Sequence, residues 1–228
     1  MIKFLMYIFK KLKSARANDD LRSFKRIIIR RTTKLFARNI DLVSFHNVGI
    51  VSFDVFGTLL LRGVSQPEDV YDLVSKDPAF RQRRIEAERK ARKRKQCEEV
   101  TIDQIYEFLP GYNSDEEINA EINNVEANSS VKKIFDWCRE SGKKVIIISD
   151  MYLPRTVIEL MLCKAGYDIE GVNIYVSSEY GLTKRSGKLF KTVIKNERSN
   201  AKDIVHIGDN LISDYIIPRL LGLRARIV

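Results

Sequence analysis

The sequence predicts a doubly wound parallel α/β domain, with a helical cap inserted after the first strand and a basic helical N-terminal arm. Three observations predict it: short β-branched apolar runs recur along the chain, segments of helical spacing lie between them, and basic residues crowd the first fifty positions. The runs are 48–53 (VGIVSF), 144–148 (KVIII), 172–176 (VNIYV), 203–207 (DIVHI) and 224–228 (RARIV). Near-continuous apolar strands belong to a parallel sheet covered on both faces. Helical spacing over 131–140, 156–165 and 187–195 supplies the crossovers, the second of these opening behind Pro154. Right-handed crossovers then wind the sheet twice.

No such run appears between Gly63 and Ser130. Residues 80–96 form a strongly basic helical stretch, and 101–109 and 115–128 continue the helical pattern with an excess of acid, so the helices are expected to pair their charges. The chain therefore divides into an arm (1–45), a core (46–63 with 131–228) and a helical cap (64–130). At 228 residues it can bury one full core with an insertion.

Residues 1–49 hold twelve Lys/Arg against three Asp/Glu, whereas the rest of the chain is nearly balanced at 28 against 27. The basic character therefore belongs to the arm. Residues 1–13 set Ile2, Leu5, Ile8, Phe9 and Leu12 at helical spacing, and residues 21–38 align Leu21, Phe24, Ile28 and Leu35. The apolar run before Lys10 is far short of the ~20 residues a membrane span needs, and it lacks a signal-peptide cleavage site. An anionic membrane face, a partner protein or the chain's own domain are its candidate docking sites; nucleic acid is the weakest. Cys97, Cys138 and Cys163 form no paired spacing, which points to a reducing, cytoplasmic compartment, peripheral on the inner membrane face if the arm binds lipid. The three thiols are expected to be buried and inert. Two histidines, His46 and His206, argue against a histidine-based metal site.

Ligands of an open α/β sheet bind outside the carboxyl ends of its strands. Asp54-Val55-Phe56-Gly57-Thr58 follows the first strand, Ser149-Asp150 the second, and Ser177, Ser178 and Glu179 the third, with Lys184 and Lys188 beyond. Gly208-Asp209-Asn210 follows the fourth, and Asp214 comes one turn later. The set is chemically coherent. A carboxylate can attack phosphorus or an activated carbon and form a covalent intermediate that water hydrolyses. Lys184, the Ser149 hydroxyl and the backbone N–H groups around Gly57 and Thr58 can hold phosphoryl oxygens. Asp54 and Asp209 offer hard oxygen ligands for Mg²⁺.

FDVFGTLL, IIISD, GLTKRSGKLF and IVHIGDNLISD resemble, in order, the four motifs of the haloacid dehalogenase (HAD) superfamily, over about residues 48–228. The resemblance implies a Rossmann-like core and a helical cap of the kind that closes over small substrates. It implies Asp54 as nucleophile, the Phe56 carbonyl and Asp209 as Mg²⁺ ligands, Ser149 on phosphate and Lys184 balancing charge. Asp214 would support the metal's water shell or orient the lysine. Lys184 is preferred to Lys188 because it stands six residues before Phe190, although Arg185 replaces the family's proline. SDMYLP, the SSEYG and SGKLF runs and HIGDN also resemble HAD-like proteins found beside or fused to bacterial glycosyltransferases and surface-polysaccharide enzymes. That likeness implies a sugar phosphate in glycan biosynthesis and a glycosyltransferase partner.

One position departs from the family. Most HAD phosphatases carry a second aspartate two residues after the nucleophile, which protonates the leaving oxygen; here it is Phe56. Losing a positioned acid costs ~10²–10⁴-fold in rate. Three expectations follow. The first is a Mg²⁺-dependent phosphatase acting on a small phosphorylated metabolite through an aspartyl-phosphate, with its acid drawn from Asp150, Glu86, Glu88 or Glu126. The second is a haloacid dehalogenase-like C–X hydrolase, and the third a non-catalytic or regulatory module docked to a glycosyltransferase or membrane complex. Asp209 and Asp214 favour the first. His206, Phe135 and Trp137 are expected to be core residues, and Gly208 a tight turn beside the site.

Overall fold

The computed structural model describes residues 48–95 and 97–228. The arm expected over 1–45, with its helices at 1–13 and 21–38, and His46 lie outside the described residues. Among the described residues there are seven strands: β1 (Ile50–Phe53), β2 (Leu60–Arg62), β3 (Val125–Ala127), β4 (Lys144–Ser149), β5 (Asn173–Val176), β6 (Ile204–Gly208) and β7 (Arg224–Ile227). Five of them form one parallel sheet in the order β5-β4-β1-β6-β7. The order runs outward in one direction from β1 and then in the other, which puts the switch point at the ends of β1, β4 and β6.

Period-two alternation along β4 explains why the strand is apolar throughout. Val145 and Ile147 face one layer, while Ile146 and Ile148 face the other. The first layer holds Phe53, Phe135, Ile158, Met161 and Tyr167, with the Phe135 ring edge-on to Tyr167 at 5.1 Å. The second holds Leu189, Phe190 and Val193. Trp137 packs partly buried against the first layer.

The cap contains α1 (Tyr71–Val74), α2 (Phe80–Arg94), α3 (Ile102–Tyr106) and α4 (Ser114–Asn123). The core helices that follow are α5 (Ser129–Glu140), α6 (Arg155–Lys164), α7 (Ser177–Tyr180), α8 (Lys188–Asn196) and α9 (Ile217–Leu220). A capping box starts α3: Thr101 Oγ1 accepts from the Gln104 N–H and Gln104 Oε1 accepts from the Thr101 N–H. The expected strand-free stretch from Gly63 to Ser130 needs correction. The last cap helix stops at Asn123, and β3 then pairs antiparallel with β2, Leu60 opposite Ala127. The chain leaves and re-enters the core side by side, so the two connections satisfy each other's backbone groups. Three-residue strands are too short to announce themselves by periodicity.

Charge pairing does hold the cap together. Arg84, fully buried on α2, makes two bonds to the equally buried Glu117 of α4, at 2.6 and 2.7 Å. Its guanidinium lies between the rings of Tyr71 and Tyr152, 4.7 and 4.8 Å from their centres. Tyr152 belongs to the core, so this knot also joins the two parts. A second junction lies between α2 and α3. The Glu98 N–H donates to the Gly181 carbonyl, and its carboxylate accepts from the Thr183 N–H at 3.1 Å and pairs with Lys188 at 2.6 Å. The Ile102 N–H donates to the Tyr152 carbonyl nearby.

Of the three thiols only Cys138 is buried. Cys163 is exposed and Cys97 intermediate, because Cys163 falls on the outer side of α6 and Cys97 in the loop against Gly181. All three are unpaired. Among the described residues, no helix is long and apolar enough to cross a membrane.

Candidate active site

Asp54 follows β1 directly and donates its N–H to the Ile207 carbonyl of β6 at 2.9 Å. The chain then folds back sharply, with the Thr58 and Leu60 N–H groups both donating to the Val55 carbonyl. Gly57 takes a φ of +81°, and a β-carbon there would overlap the Asp209 carboxylate. The Phe56–Gly57 backbone can approach Asp209 only because residue 57 lacks a side chain. Gly57→Ala is therefore expected to cost ~1–3 kcal/mol from backbone strain and overlap, visible as a lower urea midpoint; an unchanged midpoint would show that the turn adapts freely.

Gly208 at the end of β6 repeats the device, since its β-carbon would overlap Asp214. Asn210 Oδ1 accepts from the Ile212 and Ser213 N–H groups and starts a π-helical turn, Leu211–Ile216. That turn brings Asp214 back over Gly208, a distortion of the kind π-turns supply at functional sites.

Lys184 is the meeting point. Its buried ammonium pairs with Asp54 Oδ1 and, at 2.7 Å, with Asp214 Oδ1. Burial alone would lower its pKa, but the charges of Asp214, Asp54 and Asp150 outweigh that and raise it. Thr58 Oγ1 donates to Asp54 Oδ2 at 3.1 Å. Oxygens of Asp54, Asp209 and Asp214 all lie within 4.8 Å of one another. Burial, reinforced by the charges of Asp54 and Asp214, pushes Asp209 up to about 7. Asp54 is raised too, by burial first and despite Lys184. Asp214 goes the other way: Lys184 and the His206 hydrogen bond overcome its burial and hold it ionised. Together with Asp150, four carboxyl groups face one ammonium in a cavity of about 150 Å³. Such an excess of hard oxygen donors fits a divalent cation.

No protein-family model matches the chain, and no curated protein matches its sequence significantly. Solved structures do match. A HAD family enzyme from Bacteroides thetaiotaomicron superposes with a TM-score of 0.58 at 16% identity, over 79% of this chain and 93% of that one. The same enzyme in complex with magnesium and inorganic phosphate gives a TM-score of 0.54 at 15% identity, over 79% and 93%. The L-2-haloacid dehalogenase from Xanthobacter autotrophicus, with chloropropionic acid covalently bound, gives 0.54 at 13% identity, over 77% and 75%. The chain has the HAD fold.

Within that fold, the residues singled out in the sequence converge: Asp54, Phe56, Ser149, Lys184, Asp209 and Asp214 line one cavity. Lys184 and not Lys188 enters it, for Lys188 is exposed and held by Glu98. Gly57 and Thr58, expected on phosphate, do not line it: Gly57 lies against the Asp209 carboxylate, and the buried Thr58 hydroxyl donates to Asp54. Asp214 has its oxygens taken by Lys184, His206 and the Asn210 N–H, which suits orienting the lysine better than binding a metal directly.

His206 is buried as expected of a core residue, but it is not inert packing. Its Nε2 lies 3.1 Å from Asp214 and its Nδ1 2.6 Å from Ser52 Oγ. An ionised carboxylate only accepts, so Nε2 carries the proton and Nδ1 accepts from the Ser52 hydroxyl. Burial lowers its pKa and keeps the ring neutral. Sequence reasoning missed this link, although two polar residues facing each other across adjacent buried strands were a signal. Among the proposed acids, Glu86 and Glu126 are exposed and line neither cavity of the site, and Glu88 is engaged by Arg84 and Arg92.

Proposed function

We propose that the chain is a Mg²⁺-dependent hydrolase that cleaves small phosphate monoesters through an aspartyl-phosphate on Asp54. The carrying observation is the cluster of Asp54, Asp209 and Asp214 oxygens around one buried lysine. Asp54, Asp209 and the Phe56 carbonyl would hold the ion, which supplies charge neutralisation and polarises the phosphoryl group. Lys184 and the Ser149 hydroxyl hold the remaining oxygens, and Asp214, braced by His206, keeps Lys184 pointed inward. Asp54 attacks in line, and the phosphorylated carboxyl is then hydrolysed.

A larger cavity of about 490 Å³ adjoins this site between cap and core. Its walls carry Tyr71, Tyr152, Arg62 paired with Glu121, and Arg92 paired with Glu99. Fixed donors and acceptors beside aromatic faces suit a hydroxylated organic part, in keeping with a sugar phosphate and the sequence likeness to glycan-associated proteins. The purified full chain is expected to hydrolyse members of a sugar-phosphate panel with Mg²⁺ and to lose the activity in EDTA. Mg²⁺ should also raise its thermal midpoint, and should do so far less in Asp209→Asn. Hydrolysis that persists without metal sinks this reading. The aromatic Phe56 and the likeness to dehalogenases support a second one, a metal-independent C–X hydrolase, which predicts halide release from 2-haloacids instead.

A further inference from the structure

Resting on the phosphatase reading, we propose that Asp150 is the general acid and base, standing in for the carboxyl that Phe56 displaces. Two cavities meet at this site, the smaller one around Asp54 and Lys184 and the larger one under the cap. Phe56 and Asp150 are the two residues that line both. The scissile bond of a monoester must cross that junction, because phosphorus sits against Asp54 and the organic part under the cap. The leaving oxygen therefore passes between a phenyl ring, which holds no transferable proton, and a carboxyl group.

The local bonding suits the task. Asp150 Oδ1 accepts the Lys184 N–H at 2.7 Å, which fixes the carboxyl, while Oδ2 takes no hydrogen bond among the described residues. Burial, opposed by Lys184 and helped by the charges of Asp54 and Glu99, lifts Asp150 to about 6. Of the cap carboxylates at this cavity, Glu88 and Glu99 are held by arginines and Glu121 by Arg62 and the Tyr152 hydroxyl, while Glu68 lines only the larger cavity, away from the junction.

In the first step an Asp54 oxygen bonds to phosphorus, the ester P–O bond breaks, and its oxygen takes the Asp150 proton and leaves as the alcohol. In the second, the Asp150 carboxylate takes a proton from water as that water attacks phosphorus. The P–O bond to Asp54 breaks, inorganic phosphate leaves, and both aspartates return to their starting forms.

Leaving-group dependence tests the assignment. p-Nitrophenyl phosphate expels an anion stable without protonation, whereas an alkyl ester such as a hexose 6-phosphate does not. Asp150→Asn keeps the Oδ1 acceptor for Lys184 but carries no acidic proton. Its kcat/KM on the alkyl ester is expected to fall ~10²-fold or more beyond any fall on the aryl ester. Equal losses on both would make Asp150 a brace for the Lys184 loop and overturn the proposal, as would no loss on either. Asp150→Glu, which restores a carboxyl, should recover part of the alkyl-ester activity if the variant folds as the wild type does. A wild-type chain that cleaves the aryl ester but no alkyl ester also rejects Asp150 as acid while leaving the phosphatase reading intact. A chain that cleaves neither rejects both.

Discussion

Asp54→Asn is expected to reduce hydrolysis by at least about 10⁴-fold, since loss of a nucleophile removes the covalent route rather than weakening it. Asparagine keeps the size of the side chain and an oxygen for the Thr58 hydroxyl, so the turn after β1 has no reason to rearrange. It loses the negative charge opposite Lys184, which retains Asp214 as a partner. The defect should thus lie in kcat, with the melting temperature little changed. Acid quenching during turnover gives a second reading: intact-mass measurement should find a phosphorylated wild-type chain and none in the variant. Substantial turnover by Asp54→Asn would remove Asp54 from the chemistry altogether.

The largest effect on stability is expected in the cap, at Glu117. Both it and Arg84 have side chains with no solvent exposure, and their two bonds are supplemented by the Tyr106 hydroxyl on Glu117 at 2.9 Å. Removing one member of a buried ion pair leaves a desolvated charge, at a cost of ~3–5 kcal/mol. Glu117→Ala leaves the guanidinium only the partly exposed Glu88, 3.1 Å away, in place of two buried bonds, and should cost toward the lower end of that range by urea unfolding. Replacing both partners, Arg84→Met with Glu117→Leu, removes the charge together with its counter-charge and should recover most of the loss. If the single variant costs under about 1 kcal/mol, water reaches the pair and the knot is not dry.

The sheet and the cluster at its strand ends were legible in the sequence because both depend on local order. Parallel strands buried on two faces read as apolar runs, and the residues immediately after them must arrive at one edge. Asp54 and Asp209, directly after their strands, and Ser149, the last residue of β4, are fixed in this way by nothing more than the strand itself. Lys184 lies eight residues beyond its strand, and its selection over Lys188 leaned on the family likeness; the fold reveals the physical difference, one lysine buried among carboxylates and the other exposed on Glu98. Asp150 was legible as an acid but not as a junction residue, because the two cavities exist only once the cap is in place. β2 and β3 escaped for a different reason: each is stabilised by the other rather than by its own pattern. The Arg84–Glu117 pair spans 33 positions, and a charged helix reads as solvent-facing until its partner is known.

Glu98 ties the cap to the core at a second place, apart from the β2–β3 connection. A lobe joined only by the paired β2 and β3 segments would swing about that stalk as a gate on one hinge. Here the segment between α2 and α3 is fastened on the far side, to Gly181, Thr183 and Lys188 of the core. That fastening is partly open to solvent and carries an ion pair. Salt screens such a contact. High salt is therefore expected to weaken the hold on the segment that carries Lys184.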